Sequence, residues 1–397
     1  CTILIRSRSG VDLHLGRIYG LNTIGAAVGA LVAGLVTVEQ LGLRGSVLLA
    51  NLLNIGVGLG AWFLYRRQAR PAAAATAMSD EVLPSALPLA LLGTLLVVSG
   101  FATLGYEIAW FRAIRYLVGN STYALTTVLV VFLVGLGFGA LLYQPVIRRL
   151  RPEWALALCQ LAIAAFALAA IAIEHQLLND PALRDRMSIF SPIFRVQPWE
   201  WRLARTSGMA AAILLPATLM MGLSFPLASR LFLGRVRAVG RRAGGAYFLA
   251  NLGSISGSIA AALVLLPRLG TVGTIQHLAA LNQLLGRLLL AFLPRARVSL
   301  AVAVPSAGLI MAAGLTLLPV RLSFDGENFV RRKLPALLFE EEGDLATVQV
   351  RADPITSEYR AMTIDGAVIA VGRGVNPLLY EKQQLLGALP LTLDPVS

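Results

Sequence analysis

Charged residues are scarce in this chain of 397 residues, making up 14% of the sequence against 57% for hydrophobic residues. The mean hydropathy is +0.72. Soluble domains carry roughly 25% charged residues, so this composition excludes an ordinary soluble protein. Apolar runs of about 20 residues, long enough to cross the hydrocarbon core of a bilayer, recur along the chain. We therefore predict a polytopic membrane protein whose main partner is the lipid bilayer.

Cysteine and histidine are also rare, with two Cys and three His. Cys1 and Cys159 form no disulfide framework, and the histidines are too scattered for a metal-binding motif, so no metal site is predicted. Lysine is nearly absent, and arginine supplies most of the net charge of +13. A basic chain can bind nucleic acid. Here the arginines lie in short clusters between apolar runs, as in loops that orient membrane proteins, so nucleic acid is not expected as a partner.

Nine apolar runs are predicted to be membrane-spanning helices, because a backbone inside a bilayer must satisfy its own hydrogen bonds. Their approximate bounds are 17–38, 45–65, 87–113, 121–147, 153–173, 208–233, 243–266, 272–293 and 298–320. Arginine clusters follow the second, fourth, sixth and eighth runs, on a side predicted to face the cytoplasm of a bacterium across its inner membrane. A ninth crossing would place the C-terminal segment outside the cytoplasm. The run 298–320 can also be re-entrant or interfacial, so the side of this segment stays open.

The sequence repeats itself at an offset of 228 residues, which aligns the first two runs with the seventh and eighth. The matched pairs include Tyr19 with Tyr247, Gly25 with Gly253, Gly29 with Gly257, Leu41-Gly42 with Leu269-Gly270, and Gly45 with Gly273. Duplication predicts that residues 1–66 are the last two helices of a first helical unit and that 67–86 are a linker. Residues 87–320 are then a complete second unit with an extra apolar run, and we expect the chain to be a fragment of a longer protein.

Small residues and one proline predict how these helices pack. Three Gly-x-x-x-Gly pairs place small residues on one helix face, where helices can approach closely: Gly25 and Gly29, Gly135 and Gly139, and Gly253 and Gly257. Pro226 lies within the sixth run and is expected to kink it. Such a kink serves gating or simple packing, and the sequence leaves both open.

Glu107 lies in the last third of the third run, next to Tyr106 and before Arg112. A carboxylate at membrane depth is costly unless it has a partner. Glu107, Arg112 and Asn120 are therefore the candidate intramembrane polar site, for an ion, a proton or a polar substrate. Alternatively, Glu107 is an interfacial residue paired with an arginine. Asn120 can also cap the helix that follows it.

Beyond Arg321 the sequence changes to short alternating segments. Residues 346–350, 359–364 and 367–371 are predicted strands, with a hairpin turn at Asp365-Gly366, and 380–389 is a predicted helix. The predicted fold is an all-α polytopic helical bundle with a small C-terminal antiparallel β unit in residues 321–397.

Several segments together resemble one family. They are Glu107 with its aromatic neighbours, residues 16–25, residues 119–123, Phe225-Pro226, and the tail from Ile364 through Gln383 to 385–390. These are similar to fused proteins that join a transporter-like membrane domain, of the major-facilitator type, to a spermidine synthase-like domain. The tail is similar to the N-terminal β domain of the synthase.

The resemblance implies that the intact protein has an aminopropyltransferase-like domain binding decarboxylated S-adenosylmethionine and a polyamine. Asp365 and Gln383 are the only positions that it assigns a role in that domain, and the hairpin turn is the favoured interpretation of Asp365. The catalytic Rossmann portion would follow Pro390 and is missing, and Ala388 stands where many relatives carry His. The fragment itself is therefore expected to be inactive and to need no cofactor. Alternatives are a small-solute carrier with a non-catalytic C-terminal domain, or a membrane anchor for an enzyme domain.

Overall fold

A computed structural model of the chain describes residues 8–67, 87–118, 122–179, 198–234, 239–293, 336–342, 347–353, 360–364, 367–372, 380–381 and 383. Its α-helices are α1 Arg8–Val32, α2 Val38–Arg67, α3 Leu89–Val118, α4 Thr122–Leu141, α5 Tyr143–Ile147, α6 Pro152–Asn179, α7 Trp199–Leu233, α8 Val239–Ala260 and α9 Leu266–Ala291. One π-helical turn, Ala33–Thr37, joins α1 to α2, and another, Ala261–Leu265, joins α8 to α9.

Six helical stretches in the described part of the chain are long and apolar enough to cross a membrane. Their bounds are His14–Arg67, Leu89–Ile114, Leu125–Ile147, Pro152–Gln176, Leu203–Leu233 and Gly240–Ala291. The nine predicted spans therefore do not appear as nine separate helices. The first and second predicted spans form one continuous stretch, as do the seventh and eighth, while the ninth, 298–320, lies outside the described residues.

The repeat of 228 residues is present in the backbone as well as in the sequence. The two π-helical turns are one repeat apart. Gly42, with φ 67° and ψ 179°, and Gly270, with φ 69° and ψ 178°, are also one repeat apart. In both copies a hydroxyl four residues later donates a hydrogen bond to the glycine carbonyl, from Ser46 at 2.8 Å and from Thr274 at 2.7 Å.

These two glycines interrupt the longest helical stretches. A positive φ combined with an extended ψ is accessible essentially to glycine alone, because a Cβ atom would clash with the backbone there. Each of the two long stretches consequently consists of two helices that meet at a glycine. The duplicated unit is a helix, a π-helical turn, a glycine break and a second helix.

Three glycines make α4 thin enough to pack between α1 and α7. Residues two apart lie about 200° apart around a helix, so Gly137 faces the opposite way from Gly135 and Gly139. A Cβ atom added at Gly137 would lie 2.6 Å from Cγ1 of Ile24 on α1. One added at Gly139 would lie 2.8 Å from the carbonyl carbon of Leu219 on α7. Close backbone approach on both sides therefore depends on these positions having no side chain.

The largest buried side chains lie between α3, α4, α6 and α7. Tyr106 stacks on Trp110 with ring centroids 4.8 Å apart, and Trp110 meets Phe132 edge to face at 6.4 Å. Ile163 on α6 and Ile213 on α7 close the same cluster. This core joins α3, α4, α6 and α7 into a bundle against which α1 and α8 pack.

The C-terminal region forms a four-stranded antiparallel sheet in the order β1-β2-β3-β4. Its strands are β1 Ala336–Glu342, β2 Thr347–Ala352, β3 Arg360–Ile364 and β4 Ala367–Val371. The predicted small antiparallel β unit is confirmed, with β1 as an additional strand. The β3–β4 hairpin pairs Ile364 with Ala367, while the predicted turn residues Asp365 and Gly366 lie outside the described residues. Of the predicted helix 380–389, residues 380, 381 and 383 are described, and all three are helical.

Candidate functional site

A cavity of about 190 Å³ lies where α1, α3, α4, α7 and α8 meet. All fourteen residues that line it are uncharged. Its non-aromatic polar side chains come from α3 and α8: Ser99, Thr103, Asn251 and Ser254. The lining residues from α4 and α7 are all apolar: Leu136, Met221, Phe225 and Ala228. The cavity therefore combines hydrogen-bonding groups with apolar ones.

The part of the lining that comes from α3 follows from the spacing of its residues. Leu96, Ser99, Gly100 and Thr103 recur at intervals of three and four residues, which places them on one helix face. Thr103 Oγ1 donates to the Ser99 carbonyl at 2.8 Å. Across the helix contact, Ser254 Oγ on α8 lies 3.4 Å from the Gly100 carbonyl. The absence of a side chain at Gly100 lets α8 approach this face of α3 closely.

Three aromatic rings from three helices form one wall of the cavity, and we call them the aromatic triad: Tyr19 on α1, Phe225 on α7 and Tyr247 on α8. The Tyr19 and Phe225 ring centroids are 4.6 Å apart, and those of Phe225 and Tyr247 are 4.9 Å apart. Tyr19 and Tyr247 are 6.4 Å apart. Because these two tyrosines occupy the same position in the two copies of the repeat, the triad marks the place where the copies meet.

Glu107 lies one turn beyond Thr103 on α3 and is half-buried. It is not among the residues that line the cavity. Arg112 is buried five residues further along, and a spacing of five residues places it on a different helix face from Glu107. The third predicted member of this polar site, Asn120, lies outside the described residues.

The predicted packing glycines differ between the two copies of the repeat. A Cβ atom added at Gly253 would lie 2.7 Å from the carbonyl carbon of Val97, and one added at Gly257 would lie 2.6 Å from the Cα of Phe101. In the first copy, Gly25 and Gly29 have no described atom within 4 Å of such a Cβ. This face of α8 is therefore covered by α3, whereas no described residue covers the equivalent face of α1.

Pro226 directly follows Phe225 of the aromatic triad, and α7 runs through it from Trp199 to Leu233. A proline inside a helix cannot donate a hydrogen bond to the residue four positions earlier, and its ring crowds that carbonyl. Here that residue is Gly222, which packs against the backbone of Leu136 on α4. The helical hydrogen bond that is missing between Pro226 and Gly222 is therefore at the same level of α7 as the cavity. A second proline, Pro216, also lies inside α7.

Sequence reasoning did not select the two tyrosines as site residues, although the repeat aligned them. An identical aromatic residue at the same position of both copies was the available signal. Glu174 on α6 was not predicted as a site residue either. It is 1% exposed, and its Oε1 atom has no hydrogen-bond partner among the described residues. Glu174 lies at the end of an apolar run, where the sequence alone suggests an interfacial residue.

Gln383 has a structural role in the β unit. Its Oε1 accepts a hydrogen bond from the Val371 backbone N–H at 3.3 Å, and its Nε2 donates to the Ile369 carbonyl. The side chain therefore binds the backbone of the last strand. Asp365, the other position assigned by the resemblance, lies outside the described residues.

No group of three or more His, Cys, Asp or Glu side chains that could bind a metal ion lies within the described ranges. Comparisons of the chain with protein-family models, with curated proteins and with solved structures gave no match. Fold and site therefore define a helical protein with an internal repeat, six candidate membrane spans in its described residues, and a cavity where the two copies of the repeat meet.

Proposed function

We propose that this chain is an integral membrane protein that carries a small solute, and that the solute binds in the cavity beside the aromatic triad. The observation that carries the proposal is that Tyr19 and Tyr247, one from each copy of the repeat, line the same cavity. Carriers built from structural repeats bind their substrates at the interface between repeats, near the middle of the bilayer. The surrounding helices are long and apolar enough to cross a membrane.

The proposal includes eight crossings in the described part of the chain. The stretches His14–Arg67 and Gly240–Ala291 contain 54 and 52 residues. A straight helix of that length would measure about 80 Å, far more than the roughly 30 Å of a hydrocarbon core. The breaks at Gly42 and Gly270 allow each stretch to cross twice, while the other four cross once. The arginine clusters favour the inner membrane of a bacterium as the location.

Exchange in reconstituted vesicles tests the carrier proposal for many candidate solutes at once. Proteoliposomes are loaded with a mixture of small metabolites, and mass spectrometry identifies any solute that leaves faster than from protein-free vesicles. The Asn251→Trp variant places a large ring in the cavity, so the rate for that solute should fall to the protein-free level. Exchange of no solute by the wild type, or unchanged exchange by the variant, contradicts the proposal.

A second proposal concerns the β unit, which we suggest belongs to a spermidine synthase-like domain in a longer protein. It is supported by the four antiparallel strands and by the Gln383 side chain that binds β4. The complete gene product would then transfer an aminopropyl group from decarboxylated S-adenosylmethionine to a polyamine. An assay that detects the extended amine by mass spectrometry tests this proposal. If the complete protein forms no extended amine, the β unit has no such enzymatic role.

A further inference from the structure

We propose that the cavity selects a solute with no net charge, and that the part of the solute enclosed there has a flat apolar body, one hydrogen-bonding end and about ten non-hydrogen atoms or fewer. The proposal rests on the carrier function proposed above and names the class of its substrate. Three observations support it: the chemistry of the lining, the packing of the aromatic triad and the size of the cavity.

The lining can hydrogen-bond to a solute but cannot neutralise a charge. Ser99, Thr103 and Ser254 provide hydroxyl groups, and Asn251 provides an amide with both donor and acceptor groups. Tyr19 and Tyr247 each carry a further hydroxyl group, and all other lining residues are apolar or glycine. A charged group at membrane depth is strongly unfavourable without an opposite charge beside it. The nearest acidic residue on α3, Glu107, lies about 6 Å further along the helix axis than Thr103.

The aromatic triad forms an apolar wall rather than a cage for a cation. A cation is attracted to an aromatic ring when it lies over the ring face, within about 6 Å of the centroid. In this structure Phe225 contacts both tyrosines, with its ring centroid 4.6 Å from that of Tyr19 and 4.9 Å from that of Tyr247. The rings therefore cover part of one another's faces. What remains toward the cavity is suited to contact with a flat apolar group.

The volume of the cavity limits the size of the part of the solute that the cavity encloses, because the cavity is open where Tyr247 and Asn251 are exposed. A cavity of about 150 Å³ lined by apolar residues holds benzene. The 190 Å³ present here accommodates a ring of that size together with one small polar group. Drug-sized ligands occupy pockets of roughly 300–1,000 Å³. The polar side chains on α3 and α8 then bind the hydrogen-bonding end of one amphipathic molecule, and the apolar residues on α4 and α7 contact its apolar body.

Three nearly isosteric probes separate charge from size and shape: benzamide, which is neutral, benzamidinium, a cation, and benzoate, an anion. Their dissociation constants are measured with the full chain in lipid nanodiscs, by scintillation proximity with tritiated probes. We expect benzamide to bind at least about tenfold more tightly than either charged probe, which corresponds to about 1.4 kcal/mol. The Asn251→Trp variant should lose this binding. The neighbouring residue Leu252 does not line the cavity and is 49% exposed, so the Leu252→Trp variant should retain this binding.

Equal or tighter binding of benzamidinium or benzoate would overturn the assignment of an uncharged solute while leaving the cavity as a solute site. Binding of none of the three probes, or equal binding by the Asn251→Trp variant, would overturn the assignment of size and shape. The metabolite exchange measurement uses none of these probes, so the carrier function is tested separately.

Discussion

Alanine at two glycines that are equivalent in the repeat should have opposite effects on stability. Gly257 lies where α8 packs on α3, and a Cβ atom there would lie 2.6 Å from the Cα and 2.7 Å from the carbonyl carbon of Phe101. Gly29 occupies the same position in the first copy, and no described atom lies within 4 Å of its added Cβ. The substitution, the helical backbone and the neighbouring sequence are closely matched, so Gly29→Ala is the control for Gly257→Ala.

The size of the expected stability difference follows from the steric overlap of the added Cβ at Gly257 with α3. Carbon atoms pack at about 3.5–4.0 Å, so the added Cβ at Gly257 lies about 1 Å too close to backbone atoms of α3. Backbone cannot rotate away as a side chain can, and overpacking of this kind costs about 1–3 kcal/mol. Replacing glycine by alanine in a helix contributes about 1 kcal/mol of stability by itself. This gain applies at both positions, so Gly257→Ala should be less stable than Gly29→Ala by about 1–3 kcal/mol.

Reversible unfolding in mixed detergent micelles, followed by circular dichroism, measures the free energy of unfolding of both variants. Gly29→Ala should equal or exceed the wild type. If Gly29→Ala is destabilised as much as Gly257→Ala, the reasoning is refuted, because both faces would then be in equally close contact.

Two further predictions concern stability. Gly270→Ala should lower the free energy of unfolding by about 1–3 kcal/mol because φ is +69° at this position. The control Gly56→Ala, with no described atom near its added Cβ, should be neutral or stabilising. If Gly270→Ala leaves the free energy of unfolding unchanged, the glycine break is contradicted. Glu174→Gln should leave stability unchanged or raise it by about 1 kcal/mol, since the buried Oε1 has no partner among the described residues and an amide is easier to bury than a carboxylate. A loss of stability in the same unfolding assay would show that the carboxylate is required.

The helices and the repeat could be predicted from the sequence because both depend on local signals. Apolar runs predict helices wherever the backbone must satisfy its own hydrogen bonds. The pair Gly42 and Gly270 was visible as a match at the 228-residue offset, and the same unusual φ occurs at both. Strand β1 was missed because its sequence, Ala-Leu-Leu-Phe-Glu-Glu-Glu, does not alternate between apolar and polar residues.

The cavity could not be predicted because it depends on how helices distant in the sequence are arranged. Glu107 was selected as the polar residue in an apolar run, but the cavity lies one turn away from it and is lined by uncharged groups. The motif of Gly25 and Gly29 is identical to that of Gly253 and Gly257, yet among the described residues only the second is in close contact. Sequence shows that a residue is small or polar, whereas its neighbours decide what it contacts.

The most direct test of the account compares two adjacent tryptophan variants in the vesicle exchange assay. Asn251 lines the cavity, and Leu252 does not. With both variants reconstituted to the same protein content, exchange should be lost in Asn251→Trp and retained in Leu252→Trp. Equal exchange rates in the two variants would show that the solute does not pass through the cavity where the copies of the repeat meet.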